Sequence, residues 1–224
     1  MNRVEIKELA KQKIKGNLWN ILWPALVIGV VTSIVSSIFG PKIDYTNIKS
    51  LTEINVPTSY YFVSIIEGIV SGLLTAGYVK YLLNFTRTGS FNTSDIIDTV
   101  KAKWAQILIA DILVAIVVSI GYVLFVIPGI ILTFAYAMVS YIVIDTDTAG
   151  SDSLKKSREM MKGYKLDYFV FGLSFFGWIL LVPFTLGLLL IWLMPYMSIA
   201  SCIYYDRLSS LNNKKANSEI KEAE

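Results

Sequence analysis

The chain has 224 residues, 54% of them hydrophobic and 17% charged, against about 45–50% and about 25% in an average soluble domain. It contains no His and a single Cys, Cys202, which excludes Ser-His-Asp and Cys-His catalysis, H-E-x-x-H zinc sites, histidine proton relays and an internal disulfide. A net charge of +3 would suit nucleic acid only if Lys and Arg gathered on one soluble face, and here they sort with the apolar runs instead.

Residues 16–41, 112–144 and 168–205 carry no Asp, Glu, Lys or Arg, and each run exceeds the roughly 20 residues that cross a hydrocarbon core. Ahead of them, Ile6, Leu9, Ala10 and Ile14 recur at helical spacing among Lys and Glu, with Gly16-Asn17 as a stop. A first span is expected over 18–39. It is too long for the apolar part of a signal peptide, and Gly40-Pro41-Lys42 follows it instead of a small-x-small cleavage site. The second, 60–83, opens on Tyr60 and Tyr61 as interfacial anchors, contains Glu67 and ends near Lys80, whose stem can snorkel.

Next, Ser94 is expected to cap a turn that presents Ile96, Ile97 and Val100. From Trp104 to Ile144 only Asp111 interrupts the apolar pattern, and one helix of that length would measure about 60 Å. Pro128-Gly129 divides it into spans 104–126 and 130–144. An amphipathic helix from Ser151 to Lys162, ended by Gly163, carries Lys155, Lys156, Arg158 and Lys162, with Lys165 just beyond. Pro183 divides the last run into 168–182 and 185–205. The segments 130–144 and 168–182 are short for complete crossings. The tail, 206–224, is polar, mixed in charge and expected to be disordered.

These elements predict an all-α fold, a polytopic transmembrane helical bundle of about six spans with short amphipathic helices on the inner side. With both termini inside, Lys42 and Lys49 are the two outer members of the 20 Lys and Arg, as the positive-inside rule asks. Merging either hairpin into one crossing would turn a strongly basic segment outward. The expected partners are membrane lipids, with anionic headgroups meeting the inner cations, and a protein partner or a second copy of the chain. No nucleic acid, metal or cofactor is expected.

Glu67, Asp111 and Lys80 form the candidate polar site, because an ionisable group inside a span is costly and marks function by default. Glu67 lies toward the outer end of its span and Asp111 toward the inner end of the next, so Lys80 is the expected partner of Asp111. Small residues recur every four positions at Gly29, Ser33 and Ser37, and again at Ser64, Gly68, Gly72 and Ala76, a spacing that makes a smooth ridge for close helix packing. Ser153-Leu154-Lys155-Lys156 fits S-x-x-K without the elements that accompany that motif in enzymes. Asn84-Phe85-Thr86 and Asn92-Thr93-Ser94 fit a glycosylation pattern but fall on the inner side. Gly121–Pro128 echoes Gly177–Pro183 with one inserted residue, the kind of match a duplicated hairpin leaves.

The opening Lys7–Trp19, the stretch Gly72–Arg87, Ile127-Pro128-Gly129-Ile130 with Tyr136-Ala137-Met138, Ser153–Asp167, the following Leu173–Trp178, and Pro195-Tyr196-Met197 together resemble a bacterial family of multi-span membrane proteins labelled domain of unknown function 975. The resemblance covers nearly the whole chain. It implies an integral protein of the bacterial cytoplasmic membrane, with no activity, catalytic residue or ligand assigned. The function expected from residues and resemblance together is a non-enzymatic, membrane-embedded structural or interaction protein. The alternative is a small transporter or lipid-handling protein that uses the polar groups of spans two and three.

Overall fold

The computed structural model describes residues 1–39 and 58–223, and among them there are helices and turns but no strand. The expected outer loop with Lys42 and Lys49 lies outside the described residues. In chain order the helices are α1 (Arg3–Ile14), α2 (Leu18–Phe39), α3 (Thr58–Thr88), α4 (Ser94–Leu124), α5 (Val126–Ala135), α6 (Val139–Asp145), α7 (Gly150–Met160), α8 (Lys165–Leu173), α9 (Phe176–Leu181) and α10 (Leu190–Ala223), with a 3-10 turn at Pro183–Thr185.

Helix α1 begins where the Asn2 side chain accepts from the Glu5 backbone N–H, a local N-cap. It ends at Gly16, whose φ of 81° suits a residue without a Cβ. Its apolar stripe, Ile6, Ala10 and Ile14, is buried against α10 and its neighbours. Taking Ile6 and Ile14 out of water is worth about 1.5–3 kcal/mol each. The first amphipathic segment is therefore a packed helix of the bundle.

Among the described residues, four segments are long and apolar enough to cross a membrane: Leu18–Phe39, Tyr60–Thr88, Ser94–Leu124 and Val126–Asp145. A fifth results if Gly150–Met160 and Lys165–Leu181, bent by 86° at their junction, count as one broken segment. The first four match the expected spans in position, whereas a total of six is not reached on length and apolarity. Helix α3 runs on past Leu83 to Thr88, and the turn expected at Ser94 belongs to the same continuous helix as Trp104 and Asp111. No side chain caps the start of α4, and the Ser94 hydroxyl bonds Asn92 Oδ1.

Turn positions differ from the sequence expectation in an instructive way. The reversal between α4 and α5 occurs at Phe125, which is extended (φ −162°, ψ 151°). Pro128 and Gly129 sit inside the first turn of α5, where a missing N–H costs nothing because no carbonyl precedes it in the helix. Gly129 is there for contact: a Cβ at this position would meet the Tyr122 ring at 2.5 Å. Pro183 does open the second reversal, completed by Leu186 (φ 50°) and Gly187 (φ 84°). The expected span 130–144 is divided at residues 136–138, and 168–182 is broken at Ser174-Phe175.

The tail is helical as well. Helix α10 continues to Ala223, with Leu208 fully buried and Asn212 Nδ2 donating to the Leu208 carbonyl at 2.9 Å. Its first half is the centre of the main apolar core, where Tyr196, Ile199, Ala200, Cys202, Tyr204 and Tyr205 are all buried. A second cluster joins Ala76 of α3 with Ile107 and Ala110 of α4 and Val139, Val143 and Ile144 of α6. By contrast, α2 beyond Pro24, the start of α3 and the 3-10 turn expose large apolar side chains, Phe184 at 85% and Leu186 at 93%.

Candidate functional site

The sequence-predicted polar site separates into different places. Glu67 faces α2 in a cleft of about 410 Å³ between α2 and α3, lined also by Thr32, Ser33, Ser36, Ser64 and Ser71. Its Oε1 is buried without a hydrogen-bond partner. Asp111 lies on the other side of α3, where its Oδ2 comes within 3.2 Å of the position a Cβ on Gly72 would take. Lys80 does not pair with Asp111; its Nζ lies 3.7 Å from Asp145 Oδ1. Asp145 ends α6 and faces α3, so it takes the cation that sequence alone assigned to Asp111.

Asp145 is the centre of a network that sequence reasoning missed. Arg87 grips it with both guanidinium arms, at 2.5 and 2.8 Å, and turns its Nε and Nη2 to Asp206 Oδ1 at 2.9 and 2.5 Å. The Tyr205 hydroxyl donates to Asp145 Oδ2 at 3.1 Å. Arg87 thus ties α3, α6 and α10 together, a fork geometry that Lys cannot reproduce. Burial pushes the Asp206 carboxyl up, and Arg87 opposes that shift. The signal was present: the charge-free runs 112–144 and 168–205 are followed at once by Asp145 and Asp206. Nearby, Arg207 bonds Glu5 and holds its carboxyl below the ordinary value of 4.5.

The small-residue ridge divides along its length. Ala76 is buried in the second core cluster and Gly72 receives Asp111, while Gly29 and Gly68 have no atom within 4 Å of an added Cβ. Ser33, Ser64 and Gly68 line the cleft beside Glu67, and the exposed Ser37 bonds its own helix at the Ile34 carbonyl. Among the described glycines the tightest surroundings are at Gly77, where a Cβ would collide with the Ile96 carbonyl.

The basic helix α7 presents two contrasting faces. Inward, Ser153, Ser157 and Met160 are buried. The Ser157 hydroxyl donates to the Ala135 carbonyl at 2.9 Å and accepts from the Met138 N–H at 3.3 Å, satisfying two backbone groups freed where α5 gives way to α6. Outward, Lys155, Lys156, Arg158 and Lys162 are exposed and make no ion pair among the described residues. Lys165, at the start of α8, is partly buried. Between α7 and the extension of α10 lies a groove of about 490 Å³ lined by Lys156, Glu159, Lys162, Ser209, Asn212 and Lys215.

Comparison with known proteins finds no match among curated proteins or among solved structures. A family model does match, over residues 1–133 and 122–212. The chain belongs to the family described as "Protein of unknown function (DUF975)".

Proposed function

We propose that this chain is a non-enzymatic integral protein of a bacterial cytoplasmic membrane whose basic inner face engages anionic phospholipid headgroups, forming a docking platform for lipid or a partner. The observation that carries the reading is the contrast among its cations. Lys80, Arg87, Lys103 and Arg207 all have acidic partners within the fold, whereas Lys155, Lys156 and Arg158 of α7 and Lys162 just after it have none among the described residues. Juxtamembrane Lys and Arg gain about 1 kcal/mol each from an anionic leaflet.

On this reading α2, α3, α4 and the pair α5–α6 are four antiparallel crossings, and the α8–α9–α10 hairpin enters from and returns to the inner side. Both termini are then cytoplasmic whether that hairpin makes the full six spans or stops short. The transport alternative is less well supported, because Asp111 approaches α3 at Gly72 and is not among the described residues that line the cleft beside Glu67.

The test is lipid preference in nanodiscs. The native protein is expected to enrich anionic over zwitterionic lipid, and replacing Lys155, Lys156, Arg158 and Lys162 with Gln is expected to lower that preference by about fivefold per charge. Equal enrichment by the native and substituted proteins would overturn the reading.

A further inference from the structure

We propose that the cleft between α2 and α3 binds a primary ammonium group, with Glu67 as the counter-charge. Four observations lead there. The cleft is acceptor-rich: among the described residues it is lined by one carboxylate and several hydroxyls, and by no Lys or Arg. One Glu67 oxygen is buried without a partner among the described residues, a state that costs free energy until a donor arrives. The Thr32 hydroxyl already spends its proton on the carbonyls of Ile28 and Gly29, both at 3.0 Å, so toward the cleft it can only accept. A single carboxylate also matches a single positive charge.

Size and lining then choose among singly charged cations. A bare metal ion needs oxygens converging at coordination distance, and about 410 Å³ is far more space than that. A quaternary ammonium seeks aromatic faces, and no aromatic residue lines the cleft among the described residues. A primary ammonium brings three N–H donors, which the Glu67 oxygen and the hydroxyls of Ser64 and Ser71 can accept. Exposed Ile34, Ile65 and Ile66 stand close by in sequence on the same two helices, favouring an amine attached to an apolar body. Both a free amphiphilic amine and an ethanolamine lipid headgroup offer that chemistry. None of this depends on the cations of α7, so the ammonium site and the lipid platform stand or fall separately.

The experiment is thermal unfolding of the full chain in detergent against increasing hexylammonium chloride, with sodium chloride and trimethylhexylammonium chloride at equal ionic strength as controls. A saturable rise of about 3–6 °C is expected with hexylammonium alone. It should vanish in Glu67→Gln and be reduced in Ser64→Ala/Ser71→Ala, a pair that keeps the site testable should Glu67→Gln fold poorly. A parallel series in nanodiscs with phosphatidylethanolamine or phosphatidylcholine identifies the source. A Glu67-dependent shift with the former assigns the lipid headgroup, and one with the free amine alone assigns a soluble ligand. Equal responses in native and Glu67→Gln protein, or equal shifts with the sodium or quaternary salts, would overturn the proposal.

Discussion

The Tyr81 hydroxyl donates to the Asn20 carbonyl at 2.7 Å. Asn20 is the acceptor that Pro24, four residues on and inside α2, deprives of its helical N–H. Tyr78 makes the neighbouring bond to the Ile21 carbonyl at 2.8 Å. A break in one helix is thus sealed from another, which keeps the start of α2 against α3. Tyr81→Phe should destabilise by about 0.5–1.5 kcal/mol, the net worth of one hydrogen bond. In a Pro24→Ala background an N–H returns to position 24, and the same change should cost less than half as much. A double-mutant cycle by thermal unfolding in detergent reads the coupling; strict additivity would contradict the assignment.

Ser157 does a similar task at the junction of α5 and α6. Ser157→Ala removes both a donor to Ala135 and an acceptor for Met138, with an expected cost of about 1–3 kcal/mol, or roughly 2–12 °C in Tm for a chain of this size. Ser153→Ala should cost less, since that hydroxyl bonds only the Gly150 carbonyl of its own helix. Equal effects at the two positions would remove the bridging role of Ser157.

The glycines separate by contact. Gly77→Ala forces a methyl against the Ile96 backbone, which cannot rotate away, so a loss of about 1–3 kcal/mol and lower yield are expected. Gly68→Ala meets open space inside a helix and should stabilise by about 0.5–1 kcal/mol. Parallel thermal scans distinguish them, and a larger loss at Gly68 would mean that this face is closed by something else.

Acid should loosen α1. Hydrogen bonding from Arg207 lowers the folded-state pKa of Glu5 from 4.5, so its contribution is complete above that value and fades as pH falls through the lower, folded-state one. Hydrogen exchange across Arg3–Ile14, corrected for intrinsic rates, should show protection falling as pH drops below 4.5. Arg207→Gln should start lower and fall less. An identical pH profile in both proteins would sever the link to this pair.

Much of the fold was legible because two signals act independently of tertiary context: long apolar runs with few charges mark the first four apolar segments, and the stripe Ile6, Ala10, Ile14 marks α1. What sequence missed depends on contacts between distant segments. Pro128 reads as a hairpin corner, yet a helix accepts Pro in its first turn, so the reversal moved to Phe125. Polar composition made 206–224 look disordered, but the segment extends a helix anchored by Leu208, and its Lys, Glu and Ala readily continue one. Within the candidate site, Glu67 stood out because a carboxylate in an apolar helix is costly. The partner of Lys80 did not, since only the fold brings Asp145 to α3.

The most direct test of the membrane topology is single-cysteine labelling at position 156. Native Cys202 is buried, so Cys202→Ser supplies a silent background into which Lys156→Cys is placed. A membrane-impermeant maleimide should leave intact cells unlabelled and react fully once the membrane is opened, with the protein retained in the membrane fraction. Labelling of intact cells, or recovery of the protein from buffer without detergent, would contradict an inner basic face on a membrane-embedded bundle.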